Sequence, residues 1–299
     1  MIILIFKKIL LKIHYFLQKF RFFETKKKRK LFRIFFSNKK HYIHLDQIPE
    51  LKNGILRIYQ NELNDHTKKS AEIINRCKIL YNKKTLTTGS KFYLRNILLD
   101  KHEEDIKCFL NFFLQDAFIN IVKKYLETEP LLVELKLLWS PKNDNENITS
   151  GSQLFHLDYD DDKIVKFFFN IFDVKPKSGP LQIIDSINSK IIKNKLKIDL
   201  GQHNDQIVTQ NVKKEDIISL TGKEGDMTLV DTSSCFHRGS SNVEIDRLIL
   251  YCNFVSKNSY RFIPTFKKIK DEDIIKLHSP LYKFKSLVPE NFMKYLLNN

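Results

Sequence analysis

Near Pro130 the chain switches from helical to extended character, and that switch limits its fold more than any other feature. Before it, Ile106, Leu110, Phe113, Leu114, Phe118, Ile121 and Val122 recur at helical spacing. They predict one amphipathic helix over 106–126 with a stripe wide enough to cover a sheet, Asp100 as its N-cap, and Glu103 and Glu104 in the first turn. An earlier helix is expected within 59–80, with Leu63, Ala71, Ile74 and Cys77 facing inward, after an irregular stretch over 44–58 that holds Pro49 and Gly54. After the switch come apolar runs of strand length at 131–139, 164–174, 181–185, 227–237 and 247–255. Turn formers separate them, notably the segment 175–180 and Gly225-Asp226. The Lys-rich stretch 189–221 reads as an excursion of helix and loop, and 260–299 as mixed and helical towards its end. Helices first and then strands joined by turns give an α+β class, with an antiparallel sandwich or barrel as the functional half.

The formal charge of +16 brings nucleic acid and anionic membranes into consideration. No nucleic-acid-binding module accompanies it, and the abundance of Lys, Asn, Ile, Phe and Tyr is what A+T-rich codons alone produce, so no specific nucleic-acid binding is expected. Much of the excess lies in residues 1–40, read as a separate basic segment ahead of a single domain over 41–299. Ile5, Ile9, Ile13, Phe16 and Phe20 alternate there with lysines, the pattern of a basic amphipathic helix. Residues 1–25 could lie on a membrane surface, on a partner or on the protein itself. Lysines interrupt the run too often for a membrane span, and neither the order of charges nor a small-residue site suits a cleaved signal. Cys77, Cys108, Cys235 and Cys252 are scattered without metal or redox spacing, as in a cytoplasmic chain with reduced thiols.

Chemistry concentrates at 155–162, Phe-His-Leu-Asp-Tyr-Asp-Asp-Asp. On an extended segment His156 and Asp158 share one face. A second imidazole, His237, lies at the end of another apolar run, and two His with one carboxylate form the facial triad of non-heme Fe(II) sites. Alone, His-x-Asp is a frequent accident, and Asp158 could equally belong to a solvated acidic cluster with Asp160, Asp161 and Asp162. The company of His237 raises it above that. Arg238-Gly239-Ser-Ser-Asn242 then predicts a hairpin that returns Arg247 to the metal. A buried guanidinium beside Fe(II) needs an anion, and the tail carboxylate of 2-oxoglutarate suits it. Asn170 reads as a satisfied core group, Trp139 as either core or pocket wall, and Cys235, Ser233 and Ser234 as near the metal without a role.

Taken together, His156-x-Asp158, the run 166–174, Ser178-Gly179-Pro180-Leu181, Gly225-Asp226, His237-Arg-Gly239 and Arg247 resemble the phytanoyl-CoA dioxygenase family of Fe(II)/2-oxoglutarate oxygenases. The resemblance covers about residues 131–255. It implies a double-stranded β-helix (jelly roll, cupin-like) core over about 131–256, with a helical part over about 55–128 packed on the sheet. It implies Fe(II) held by His156, Asp158 and His237, and 2-oxoglutarate anchored by Arg247. The reaction it implies uses dioxygen to hydroxylate a small or lipid-linked substrate, with release of succinate and carbon dioxide. The family's Pro-Gly-Ser-His turn after Gly-Pro-Leu is replaced here by Asp185-Ser-Ile-Asn188, which argues against an acyl-CoA substrate. Asp158 fills the position a halide would need, which argues against halogenation. Two alternatives keep the fold: a non-catalytic jelly-roll binding module, and a cupin-type metal enzyme that does not use 2-oxoglutarate.

Overall fold

The computed structural model describes residues 48–62, 67–87, 91–99, 102–142, 151–158, 160–197, 201–239 and 243–256. The basic segment 1–40, Leu63, Asp100, Asn242 and the closing stretch 260–299, on which expectations fell, lie outside them.

Eleven strands among the described residues form two antiparallel sheets. The larger contains β1 (Ile55–Ile58), β2 (Arg95–Ile97), β3 (Pro130–Ser140), β5 (Val165–Asn170), β9 (Met227–Asp231) and β11 (Arg247–Ser256), in the order β1-β9-β5-β11-β3-β2. The smaller contains β4 (His156–Leu157), β6 (Gln182–Ile184), β7 (Gly201–Gln202), β8 (Ile217–Ser219) and β10 (His237–Arg238), in the order β7-β4-β10-β6-β8. From β3 to β6 and from β8 to β11 the chain alternates between the sheets, so four strands of each wind together as a double-stranded β-helix, the jelly roll. β1 and β2 extend the larger sheet, and β7 extends the smaller.

Three helices, α1 (Thr67–Lys83), α2 (Glu103–Phe113) and α3 (Asp116–Leu126), come ahead of the jelly roll. Alternation along the strands explains their position. On β5, Phe167 and Phe169 point one way while Lys166, Phe168 and Asn170 point the other. The first set is fully buried against the helices, with Phe113 and Phe118 rings 5.7 and 5.8 Å from Phe167 and Phe112 5.1 Å from Phe169. On β11, Leu248, Leu250, Cys252 and Phe254 join this core, and Arg247, Ile249 and Tyr251 face the barrel interior. Each buried Phe contributes about 2–3 kcal/mol of apolar transfer, so this layer fixes the larger sheet as the rigid wall of the barrel.

Several local expectations are corrected. The helix predicted over 106–126 is two, broken at Leu114 and Gln115. Gln115 is extended (φ −62°, ψ 144°) and its side-chain amide donates to the Phe112 carbonyl at 2.8 Å. The break lets Phe112, Phe113 and Phe118 all reach the sheet, which one straight stripe would not. On α1 the inward residues are Ile73, Ile74, Cys77 and Leu80, whereas Ala71 is exposed. Part of the stretch expected to be irregular is β1, paired with β9 from Ile55↔Val230 to Ile58↔Met227. The excursion over 189–221 holds most of α4 (Ser186–Leu196), all of α5 (Asp205–Thr209) and the strands β7 and β8. Asp185 is the N-cap of α4 and accepts from the Asn188 N–H at 2.8 Å. No helix among the described residues is long and apolar enough to cross a membrane.

Candidate metal centre

The run 227–237 does not form one strand. β9 ends at Asp231 in the larger sheet, and the chain crosses through a turn to β10 in the smaller one. Asp231 holds that crossing. Its buried carboxylate accepts from the hydroxyls of Tyr125 (2.6 Å), Ser233 (2.6 Å) and Ser234 (2.7 Å) and from the backbone N–H groups of Ser233 (3.0 Å) and Ile164 (3.2 Å). The turn in its grip carries Thr232, whose carbonyl accepts from the Asp158 N–H at 2.9 Å, and leads to His237. Two distant stretches of sequence are thereby tied together at one point.

β10 pairs with β4 so that His237 lies directly opposite His156. Asp158 follows β4 immediately, with one carboxylate oxygen 3.5 Å from His237 Nε2. One donor atom from each of the three lies within 4.8 Å of the others. Each imidazole has its Nδ1 against a backbone carbonyl, Leu154 at 2.8 Å for His156 and Cys235 at 3.1 Å for His237. A carbonyl can only accept, so Nδ1 carries the proton and Nε2 presents a lone pair. Burial pushes His237 down to about 3, helped by its His156 neighbour, and burial likewise lowers His156. Burial alone would raise Asp158, but Lys166, His237 and His156 outweigh it and hold the carboxylate well below its usual range. Two neutral imidazoles and an ionised carboxylate are the protonation states that a divalent ion of the Fe(II) type requires.

The three open into a cavity of about 380 Å³ inside the barrel. Its floor on the larger sheet runs in rungs, Arg247 beside Ser140, then Ile249 between Leu138 and Asn170, then Tyr251 between Lys136 and Phe168. Arg247 reaches this cavity from the sheet opposite β10, not through the hairpin expected from the sequence. Its Nη2 donates to Ser140 at 3.0 Å, while Nε is buried without a hydrogen-bond partner. No acidic group offsets its burial, which pushes the guanidinium down to about 10. Asn170 is hydrogen-bonded as expected, donating to the Lys223 carbonyl at 3.2 Å, and it also lines the cavity. Trp139 is core, donating to Asp246 at 3.0 Å and lying edge-on to Tyr81. Ser233 and Ser234 serve Asp231, and Cys235 is buried.

Lys166 was not singled out by the sequence reading. Its ammonium lies 2.5 Å from the Asp158 oxygen nearest His237. A lysine at an inward position of a strand that is apolar apart from Asn170 was the available signal.

No protein-family model matches the chain, and no curated protein does. Solved structures of similar path exist. One is the non-heme alpha-ketoglutarate-dependent epimerase SnoN from nogalamycin biosynthesis, with Fe3+, alpha ketoglutarate and nogalamycin RO, at 11% identity, 71% of this chain, 82% of that one and TM-score 0.49. A second is EctD from S. alaskensis with bound Fe, at 11% identity, 71% and 75% coverage and TM-score 0.49. A third is HygX from Streptomyces hygroscopicus with nickel, 2-oxoglutarate and hygromycin B, at 13% identity, 72% and 86% coverage and TM-score 0.46.

Proposed function

We propose that this chain is an Fe(II)/2-oxoglutarate-dependent oxygenase that hydroxylates a small organic molecule. The observation that carries the reading is Arg247, a buried and incompletely paired guanidinium opening into the same cavity as two neutral imidazoles and a carboxylate. A cation left in that state is costly unless an anion completes it, and a dicarboxylate that also reaches the metal does so. His156, Asp158 and His237 would hold the ion on one face, leaving the other face for cosubstrate and dioxygen. When bound, the ion supplies dioxygen activation coupled to oxidative decarboxylation of 2-oxoglutarate to succinate and carbon dioxide.

The protein's own part is positional. The carbonyls of Leu154 and Cys235 set the imidazole tautomers, the Asp231 network fixes the spacing of the two ligand segments, and Arg247 with Ser140 receives the far carboxylate. Ile249, Leu138, Phe168, Val174, Leu181 and Leu220 line the cavity with apolar surface and keep bulk water from the reacting centre. Anaerobic addition of Fe(II) and 2-oxoglutarate should produce the visible charge-transfer band of the chelate, and exposure to oxygen should release succinate. Absence of both overturns the reading.

A further inference from the structure

Lys166 has a place in the cavity that a facial triad does not need, since its ammonium and His237 Nε2 approach the same oxygen of Asp158, at 2.5 and 3.5 Å. A divalent ion held by the triad would sit beside that ammonium, so the two cations would compete for the Asp158 carboxylate. The next rung of the larger sheet supplies an alternative. Asn253 of β11 is paired with Lys166 on one side and with Glu134 on the other, so all three share a face. Asn253 is buried and its side-chain oxygen has no hydrogen-bond partner. Glu134 beyond it accepts from Lys136 and Tyr251, each at 2.8 Å. Burial alone would push Lys166 down, but Asp158 and then Glu134 outweigh it and hold the ammonium above the ordinary lysine range. Glu134 itself is held below the usual carboxylate range, with Lys136 and Lys166 overcoming its burial.

Resting on the metal site proposed above, we propose that Lys166 is a resident counter-ion that occupies Asp158 in the metal-free protein. On metal binding it moves to the Asn253 oxygen and Glu134. The device has two effects. It holds the triad carboxylate in place before the metal arrives, and it makes metal loading weaker than three ligands alone would give, because like charges meet in a poorly screened cavity. Glu134, Lys136 and Tyr251 also line the cavity, so metal loading changes the charge presented to whatever binds there.

The sign of the effect on affinity separates this role from a merely structural one, since a damaged site binds metal less well whereas removal of a competing cation makes it bind better. Co(II) titration of the metal-free full-length chain by calorimetry should give about tenfold tighter binding in Lys166→Met than in wild type. Glu134→Gln, which removes the negative charge of one of the two alternative acceptors, should weaken Co(II) about fivefold in wild type and less than about twofold in the Lys166→Met background. Unchanged or weaker binding in Lys166→Met overturns the proposal and leaves the metal-site reading intact. Should that variant not fold, unchanged affinity in Glu134→Gln overturns it and weakened affinity sustains it. If wild type takes up no Co(II), uptake by Lys166→Met sustains the proposal, and silence from both overturns it together with the metal site.

Discussion

His156 and His237 lie opposite one another on a single rung of the smaller sheet, with ring centroids 4.1 Å apart. Each gives its Nδ1 proton to a carbonyl, so two Nε2 lone pairs converge near the Asp158 carboxylate. Replacing either imidazole with alanine should abolish Co(II) uptake while the far-ultraviolet circular dichroism stays native. Stoichiometric Co(II) absorption in either variant would refute the triad.

The depressed imidazoles also set a pH dependence for the metal-free chain. Unfolding returns His237 from about 3 to its ordinary value near 6.5, so the unfolded state binds the extra proton between those limits. Stability therefore falls as pH drops below about 6.5, and each such group contributes up to about 1.4 kcal/mol per pH unit. Asp158 acts in the same direction at lower pH, since a lowered carboxylate stabilises the fold above its unfolded range and ceases to do so as it is protonated. Urea unfolding at pH 7 and pH 5 should show wild type losing about 2 kcal/mol more than His237→Asn. Equal losses would contradict the assignment of a buried neutral imidazole.

Arg247 carries a prediction of opposite signs for stability and binding. Its guanidinium is buried with Nε unpaired, so Arg247→Met should stabilise the ligand-free chain by about 1–2 kcal/mol. The same change should weaken 2-oxoglutarate by about a hundredfold, because one partner of a buried charge pair is then missing. Urea unfolding and calorimetric titration into metal-loaded protein measure the two effects. A destabilised variant with unaltered 2-oxoglutarate affinity would remove Arg247 from the site.

Asp231 touches no metal donor, yet five donors converge on it and both ligand segments hang from the turn it organises. Asp231→Ala leaves those donors unsatisfied in the interior and should cost about 3 kcal/mol or more in urea unfolding, with a loss of Co(II) affinity. Tyr125→Phe removes one donor alone and should cost about 1 kcal/mol with Co(II) affinity retained.

The sequence made β3, β5, β6 and β11 legible because each is an apolar run of strand length between turn formers. It also brought His156, Asp158, His237 and Arg247 into one hypothesis. The crossing between β9 and β10 was not legible, since an apolar run looks the same whether it stays in one sheet or changes sheets. Two strands of the smaller sheet, β7 and β8, were hard to see for a related reason. They are two and three residues long and present no alternation to count. Lys166 escaped notice because its meaning depends on a neighbour eight positions earlier that only the fold brings to it.

The two walls of the barrel differ in how firmly they are made. β3 and β11 run for 11 and 10 residues, whereas β4 and β10 have two each and share a single paired position. Both histidines belong to the thin wall. An ion gripped there would act as a rivet, joining β4 to β10 where their ladder has a single rung. Amide hydrogens of β4 and β10 should therefore exchange early in the metal-free chain and become protected on loading, while those of β3 and β11 stay protected throughout.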